Sequence, residues 1–283
     1  MSSAAAALPY QIEVNGVGVR YDVRGSGERT LVLVHGHQAH HMWWHAVVAL
    51  LAPHWRLVLL DLSGHGDSGH RADGYHDAIW CDDVLAVVAA VGGEAPVLVG
   101  HSMGGRIALV AAARQPDLVA GVVMVDSVVR VEGAGPNLAW EPHRPARTLG
   151  TFDEAVSRFR VKPEQPVPAQ LLAPVASYSL RQVEDGWTWK HDQRGLPAMS
   201  HDLVAEAFAS IRVPVRFVRA ELSSVTEGVD DALRVLDPAG AVQIHIAPGS
   251  HHHVVIEDPD LCAGLVDRLA SEILAPRASI SAS

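Results

Sequence analysis

Residues 97–113 read VLVGHSMGGRIALVAAA: three apolar residues, a glycine-flanked His-Ser-Met, then an apolar run rich in alanine. That order predicts a buried strand, a tight turn and a helix in immediate succession. Within the turn, Gly100-His101-Ser102-Met103-Gly104 has the form G-x-S-x-G, and its glycines relieve the crowding that a sharp strand-to-helix reversal imposes on side chains. The Ser102 hydroxyl is then expected to project at the C-terminal edge of a sheet. It would stand beside a helix start whose unpaired N–H groups favour developing negative charge. A glycine-rich turn with a merely capping serine can read the same way, but the apolar run before it and the helical run after it make a chance match a poor explanation.

The alternation extends in both directions. Short apolar runs recur at 31–35 (LVLVH), 56–61 (RLVLLD), 121–126 (GVVMVD), 213–219 (VPVRFVR) and 242–247 (VQIHIA). Most are continuously apolar, the pattern of strands covered on both faces in a parallel sheet. Helical periodicity occupies 77–91, 105–115 and 259–274, the last with Leu261, Leu265, Leu269 and Ile273 on one face. Alternating strands and helices predict an α/β fold with a doubly wound sheet. Residues 11–27, QIEVNGVGVRYDVRGSG, alternate polar and apolar positions around Asn15-Gly16 and predict an antiparallel hairpin at the edge.

The rhythm breaks after Val129. Prolines such as Pro136, Pro163, Pro168 and Pro197 interrupt the next eighty or so residues, and no run reads as a buried strand. Trp140, Trp187 and Trp189 argue against a disordered linker, so an inserted helical lid is expected. The chain accordingly divides into a first core part (1–130), an insertion (131–210) and a second core part (211–283).

Composition bounds the function. With 283 residues, 48% hydrophobic and 19% charged, the chain is long enough and apolar enough to bury a sizeable core. Against 32 Asp and Glu stand 22 Lys and Arg, a net charge of −10 that repels phosphate backbones and anionic lipid, so neither nucleic acid nor membrane is an expected partner. Cys81 and Cys262 are far apart in sequence and build neither a disulfide framework nor a four-ligand zinc site. The opening MSSAAAALPY lacks the features of a secretory signal, and no run reaches the length of a membrane span; a cytoplasmic protein is expected. There is no P-loop and no G-x-G-x-x-G at the first β–α turn, so the expected partner is a small-molecule substrate handled without a cofactor. Nothing in the sequence sets an oligomeric state.

Three further motifs accompany GHSMGG. His35-Gly36-His37 closes the first strongly apolar strand, and Asp61-Leu62-Ser63-Gly64-His65-Gly66-Asp67-Ser68 follows the next as D-x-x-G-x-G-x-S. Pro248-Gly249-Ser250-His251-His252-His253 follows the last strand and precedes the C-terminal helix. This ordered set, running from about Gln11 to Leu274 outside the insertion, resembles the α/β-hydrolase family. The resemblance implies a mostly parallel central sheet flanked by helices, with an inserted helical cap.

It also implies roles. Ser102 would be the nucleophile, the backbone N–H groups of His37 and Met103 would form the oxyanion hole, and the Asp61–Ser68 turn would be structural. The base would lie four residues after Pro248 and five before Glu257, which selects His252; His251 is the alternative if the loop is offset by one. The acid departs from the common pattern, because Ala220-Glu221-Leu222-Ser223-Ser224 has serines where the family usually carries Asp. An imidazole base needs a carboxylate to orient it and to stabilise its charged form. Asp126, closing the run 121–126 as in branches with a displaced acid, is the expected candidate, Glu221 is the alternative, and a loop-capping carboxylate is the plain reading of Asp126.

Three adjacent histidines also raise a metal reading. Successive side chains rarely converge on one ion, however, and no second ligand group stands at a recognisable spacing. His37, His40, His41 and His45, beside the oxyanion turn, read as solvated or hydrogen-bonded residues, so no metal is assigned. Trp43, Trp44, Trp140, Trp187 and Trp189 favour an apolar or aromatic substrate, although each alone is as well explained by packing.

The expected activity is serine hydrolysis of an ester, thioester, lactone or activated C–C bond through an acyl-enzyme. Two other classes share the architecture: a cofactor-independent His/Asp general-base enzyme of oxygenase or lyase type, and a receptor-like binder with little turnover. Covalent epoxide or haloalkane hydrolysis is disfavoured, since it places a carboxylate where this chain has Ser102.

Overall fold

The computed structural model describes residues 8–131, 147–193 and 200–275. The strands in chain order are β1 (Tyr10–Val14), β2 (Val17–Arg24), β3 (Thr30–Val34), β4 (Arg56–Asp61), β5 (Val97–His101), β6 (Gly121–Val125), β7 (Leu180–Val183), β8 (Gly186–Trp189), β9 (Val215–Ala220) and β10 (Gln243–Ala247). The helices are α1 (His45–Leu51), α2 (Asp77–Val91), α3 (Met103–Arg114), α4 (Phe152–Ser157), α5 (Ala169–Tyr178), α6 (His201–Ser210), α7 (Val229–Leu236), α8 (Val254–Glu257) and α9 (Pro259–Leu274). Eight strands form one sheet in the order β1-β2-β4-β3-β5-β6-β9-β10. The hairpin β1–β2 and the β2–β4 pair are antiparallel, and every pairing from β4 to β10 is parallel. The two-residue turn between β1 and β2 has Asn15 and Gly16 at φ 48° and 77°, the twin positive values that match the strand twist.

The apolar runs divide between two cores as the period of two requires. On β3, Val32 and Val34 face α2 and α3, while Leu31 and Leu33 face α1 and α9; Leu98 and Val97/Val99 on β5 divide the same way. Both faces are therefore dry, which is why these strands lack polar alternation.

The segment between β6 and β9 departs from the all-helical expectation. Among the described residues it contains α4, α5 and α6, but also the antiparallel hairpin β7–β8, which carries Trp187 and Trp189. The hairpin escapes a search for buried strands because most of its positions are only partly covered. Helix α6, within the expected insertion by number, packs Val204, Ala207 and Phe208 into the core shared with α3. The ninth strand begins at Val215 rather than 213, since Pro214 has no N–H for the ladder and instead accepts from Val122 N–H at 2.9 Å. No helix among the described residues is long and apolar enough to cross a membrane.

Candidate active site

The parallel register brings the ends of β5 and β6 level. His101 pairs with Val125, so Ser102 and Asp126 leave adjacent strands at the same edge of the sheet, and Ser102 N–H donates to the Val125 carbonyl at 2.9 Å. Ser102 has φ 54° and ψ −120°, a sharp reversal that sets its side chain clear of both strand and helix. The reversal needs its glycines for close approach rather than freedom of rotation. A Cβ on Gly100 would run into the Gly104 carbonyl, and one on Gly104 into the carbonyls of Val34 and His35. Helix α3 starts at Met103, two residues earlier than its apolar periodicity, because the elbow feeds straight into it.

His252 lies in the loop after β10 and spans the two. Its Nδ1 is 2.7 Å from Asp126 Oδ2 and its Nε2 is 3.0 Å from Ser102 Oγ. Since an ionised carboxylate only accepts, Nδ1 carries the proton and Nε2 presents its lone pair to the Ser102 hydroxyl. Asp126 and His252 are buried, and Ser102 is half-exposed.

Asp126 is held by more than His252. Its carboxylate accepts from Ala220 N–H at 2.8 Å, Thr226 Oγ1 at 3.0 Å and Ser223 Oγ at 2.5 Å. Three added donors keep a fully buried anion satisfied and stop it turning away from the imidazole. Ser223 and Thr226 were not singled out by sequence. The available signal was the serine pair standing where the common pattern carries its acid: the hydroxyl from that loop now braces the displaced carboxylate. Asp126 itself sits at φ 44°, a second strained residue at the same edge.

The alternatives go elsewhere. Glu221 is exposed and accepts from Gly249 N–H at 2.7 Å, steadying the His252 loop from outside. His251 turns to Glu257, with Nδ1 2.7 Å from Oε1. On the oxyanion side, a Cβ added to Gly36 would lie 3.2 Å from Ser102 Cβ, so the His35–His37 turn passes directly against the elbow. His35 Nε2 accepts from Leu62 N–H at 3.0 Å, which leaves its Nδ1–H to donate to the Gly36 carbonyl at 2.8 Å and ties the turn to β4. Burial pushes His35 down to about 4, against the nearby charge of Asp61.

The D-x-x-G-x-G-x-S turn folds around a buried Asp61, which accepts from His41 N–H at 2.8 Å, His41 Nδ1 at 2.9 Å and Asp67 N–H at 2.8 Å. Burial favours its neutral form, but His41 together with His35 and His40 holds the carboxyl below the usual range. His40 Nε2 meets Ser179 Oγ at 2.8 Å, and His45 Nε2 meets the Leu171 carbonyl at 3.0 Å. These histidines are thus spent on separate partners and do not converge. The last residue of α5 and the residue following β8 dock on the same turn, through Tyr178 O–H donating to Asp67 at 2.5 Å and Lys190 Nζ 2.7 Å from Asp67.

The tryptophans separate into different environments. Trp44 is fully buried in the core between sheet and α1, so it offers no surface to a ligand in this structure. Trp43, 6% exposed, packs against His253 with ring centroids 5.0 Å apart. Trp187 meets Phe152 at 4.9 Å in a small cluster of the insertion's own, and Trp189 lies 6.1 Å from Phe159. Trp140 falls outside the described residues.

A family model described as alpha/beta hydrolase fold matches residues 29–209. Among curated proteins, the pimeloyl-[acyl-carrier protein] methyl ester esterase of Sodalis glossinidius is 36% identical over 150 residues, covering 50% of this chain and 55% of that protein. The chain therefore spans about half the length of that relative. The 2-(acetamidomethylene)succinate hydrolase of Mesorhizobium japonicum is 23% identical over 258 residues, 89% of this chain and 91% of that one. Among solved structures, a thioesterase domain from the curacin biosynthetic pathway shares the fold with a TM-score of 0.75, at 20% identity over 94% of this chain and 98% of that one.

Proposed function

Because the chain belongs to the alpha/beta hydrolase fold family, we propose that it is a serine hydrolase that cleaves a carboxylic ester, or a related thioester, lactone or activated C–C bond, of a small apolar or aromatic molecule. One observation carries the reading: a single imidazole, His252, bridges a half-exposed serine hydroxyl at 3.0 Å and a fully buried carboxylate at 2.7 Å. Relatives described as esterases and hydrolases support the reaction class.

Ser102 Oγ attacks the carbonyl carbon while its proton passes to His252 Nε2, and Asp126 stabilises the imidazolium that forms. Negative charge grows on the former carbonyl oxygen, where the backbone N–H groups of His37 and Met103 serve as the oxyanion hole. Each such donor contributes roughly 3–4 kcal/mol to the transition state. The imidazolium then protonates the leaving group as its bond to the acyl carbon breaks. Water, deprotonated by the same His252, attacks the acyl-enzyme and releases the acid and Ser102.

A fluorophosphonate probe with peptide mapping tests this. Labelling of Ser102, together with loss of esterase turnover in Ser102→Ala, is the expected result. Turnover that survives Ser102→Ala would instead favour general-base chemistry at His252, and tight binding without turnover would favour a receptor. A panel of p-nitrophenyl and alkyl esters varied in acyl and alcohol size then defines the substrate.

A further inference from the structure

Three imidazoles pack together beside Ser102. The rings of His101 and His252 are 4.9 Å apart, those of His252 and His253 4.7 Å, and those of His101 and His253 5.7 Å. One ring nitrogen of each lies within 4.8 Å of the other two. All three residues are at most 4% exposed.

Their hydrogen bonds fix which nitrogens remain. His101 Nε2 meets the His252 carbonyl at 2.9 Å, and His253 Nε2 meets the Lys162 carbonyl at 3.0 Å. A carbonyl only accepts, so both Nε2 atoms carry hydrogen and both Nδ1 atoms are bare lone pairs. Among the described residues those two Nδ1 atoms have no hydrogen-bond partner, although each is buried. A buried acceptor without a donor is costly. Two of them in one cluster, beside a third imidazole and the Asp126 carboxylate, form a donor set that a cation would satisfy.

We propose that His101, His252 and His253 form a binding site for a divalent transition ion of the imidazole-preferring type, with Zn2+ as the reference case, and that its occupancy arrests Ser102. Each ring already has the outer support that a metal-bound histidine requires: a backbone carbonyl for His101, another for His253, and a carboxylate for His252. His252 would therefore bind through Nε2, the nitrogen that otherwise takes the Ser102 proton. A tetrahedral ion with bonds of about 2.0–2.1 Å sets its ligands about 3.3 Å apart, so nitrogens that now lie within 4.8 Å of one another have to close by up to about 1.5 Å. Solvent reaching past half-exposed Ser102 completes the coordination. The histidine run alone raised a metal reading that lacked a further ligand at a recognisable spacing; the residue that completes the set, His101, comes from the nucleophile turn, about 150 positions away in sequence.

The arrest of turnover rests on the serine-hydrolase reading, whereas binding does not, so the two are measured separately. Isothermal titration of the tag-free full chain with ZnCl2 is expected to give one ion per chain. Affinity should fall at least tenfold in His101→Gln and in His253→Gln and stay within threefold in His251→Gln. In an ester assay, Zn2+ should inhibit wild type at the concentrations at which it binds, with reversal by EDTA and a matching loss of sensitivity in His253→Gln. Binding that ignores His253→Gln, or zinc affinity that depends on His251, overturns the site; tight binding without inhibition overturns the proposed arrest. Should the variants fail to fold, Co2+ on wild type decides. Intense visible bands of a four-coordinate ion, bleached by Zn2+, support the site, and the weak spectrum of a six-coordinate ion refutes it.

Discussion

Ser223 Oγ donates at 2.5 Å to Asp126 Oδ2, the same oxygen that meets His252 Nδ1 at 2.7 Å. The loop after β9 thus reaches the imidazole indirectly, by bracing a carboxylate that arrives from β6. Position 223 lies in the stretch where an acid was expected, and exchanging acid for hydroxyl there is consistent with supply of the carboxylate from the neighbouring strand. Ser223→Ala should leave the Asp126–His252 contact in place while removing one donor from a buried anion. Such donors are worth about 1.5–3 kcal/mol, so a comparable fall in unfolding free energy, read by urea denaturation, is expected with a loss in kcat of no more than about thirtyfold.

Asp126→Asn should reduce the acylation rate by roughly 10³–10⁴-fold, measured as the burst phase on an activated ester, because an amide no longer selects the reactive tautomer or stabilises the imidazolium. Glu221→Gln should change it less than threefold, since that carboxylate contacts Gly249 N–H. The opposite ranking would move the acid to β9.

Gly36→Ala separates positioning from folding. Gly36 has no positive φ, so the backbone tolerates alanine. The new methyl would stand 3.2 Å from both Ser102 Cβ and His101 Nδ1, closer than comfortable packing, and something must give by a few tenths of an ångström. An oxyanion donor misplaced that far weakens sharply. A fall in kcat of at least tenfold with a melting temperature within a few degrees of wild type is expected; an unchanged kcat would remove His37 from the hole.

Acid should destabilise the protein before its carboxylates titrate. Burial pushes His35 and His191 down to about 4 and His101 to about 3, whereas in the unfolded chain histidine keeps its ordinary value of about 6.5. Between those limits the unfolded state binds more protons, so the contribution of these groups is fully present above about pH 6.5 and is lost as pH falls toward 4. Each group adds a slope of up to about 1.4 kcal/mol per pH unit. Urea midpoints at pH 7.5, 6.0 and 5.0 should drop progressively, with proton uptake on unfolding; a flat profile from 7.5 to 5 would mean that these rings are not buried neutral.

Local pattern was enough for much of the architecture. The runs at 56–61 and 97–101 are strands at those bounds, and 77–91 and 259–274 are helices at theirs, because continuous apolar stretches and single-face periodicity are properties of neighbouring residues. Asn15-Gly16 likewise announces its hairpin, since both positions accept positive φ. The hairpin β7–β8 was not legible: half-covered strands in a segment full of prolines carry neither signal.

By itself, then, the sequence determined a parallel α/β sheet with a serine at the turn into α3, and it narrowed base and acid to two candidates each. Spacing and resemblance already favoured His252 and Asp126, but the contacts that distinguish them from His251 and Glu221 exist only in three dimensions. His252 rather than His251 faces Ser102, and Asp126 rather than Glu221 faces His252, because register places the ends of β5 and β6 side by side while the β10 loop folds across them. The bracing hydroxyl of Ser223 and the lone pairs of His101 and His253 belong to the same category. Each depends on distances between residues more than ninety positions apart in the chain, and pairwise geometry of that kind is created only when the sheet closes.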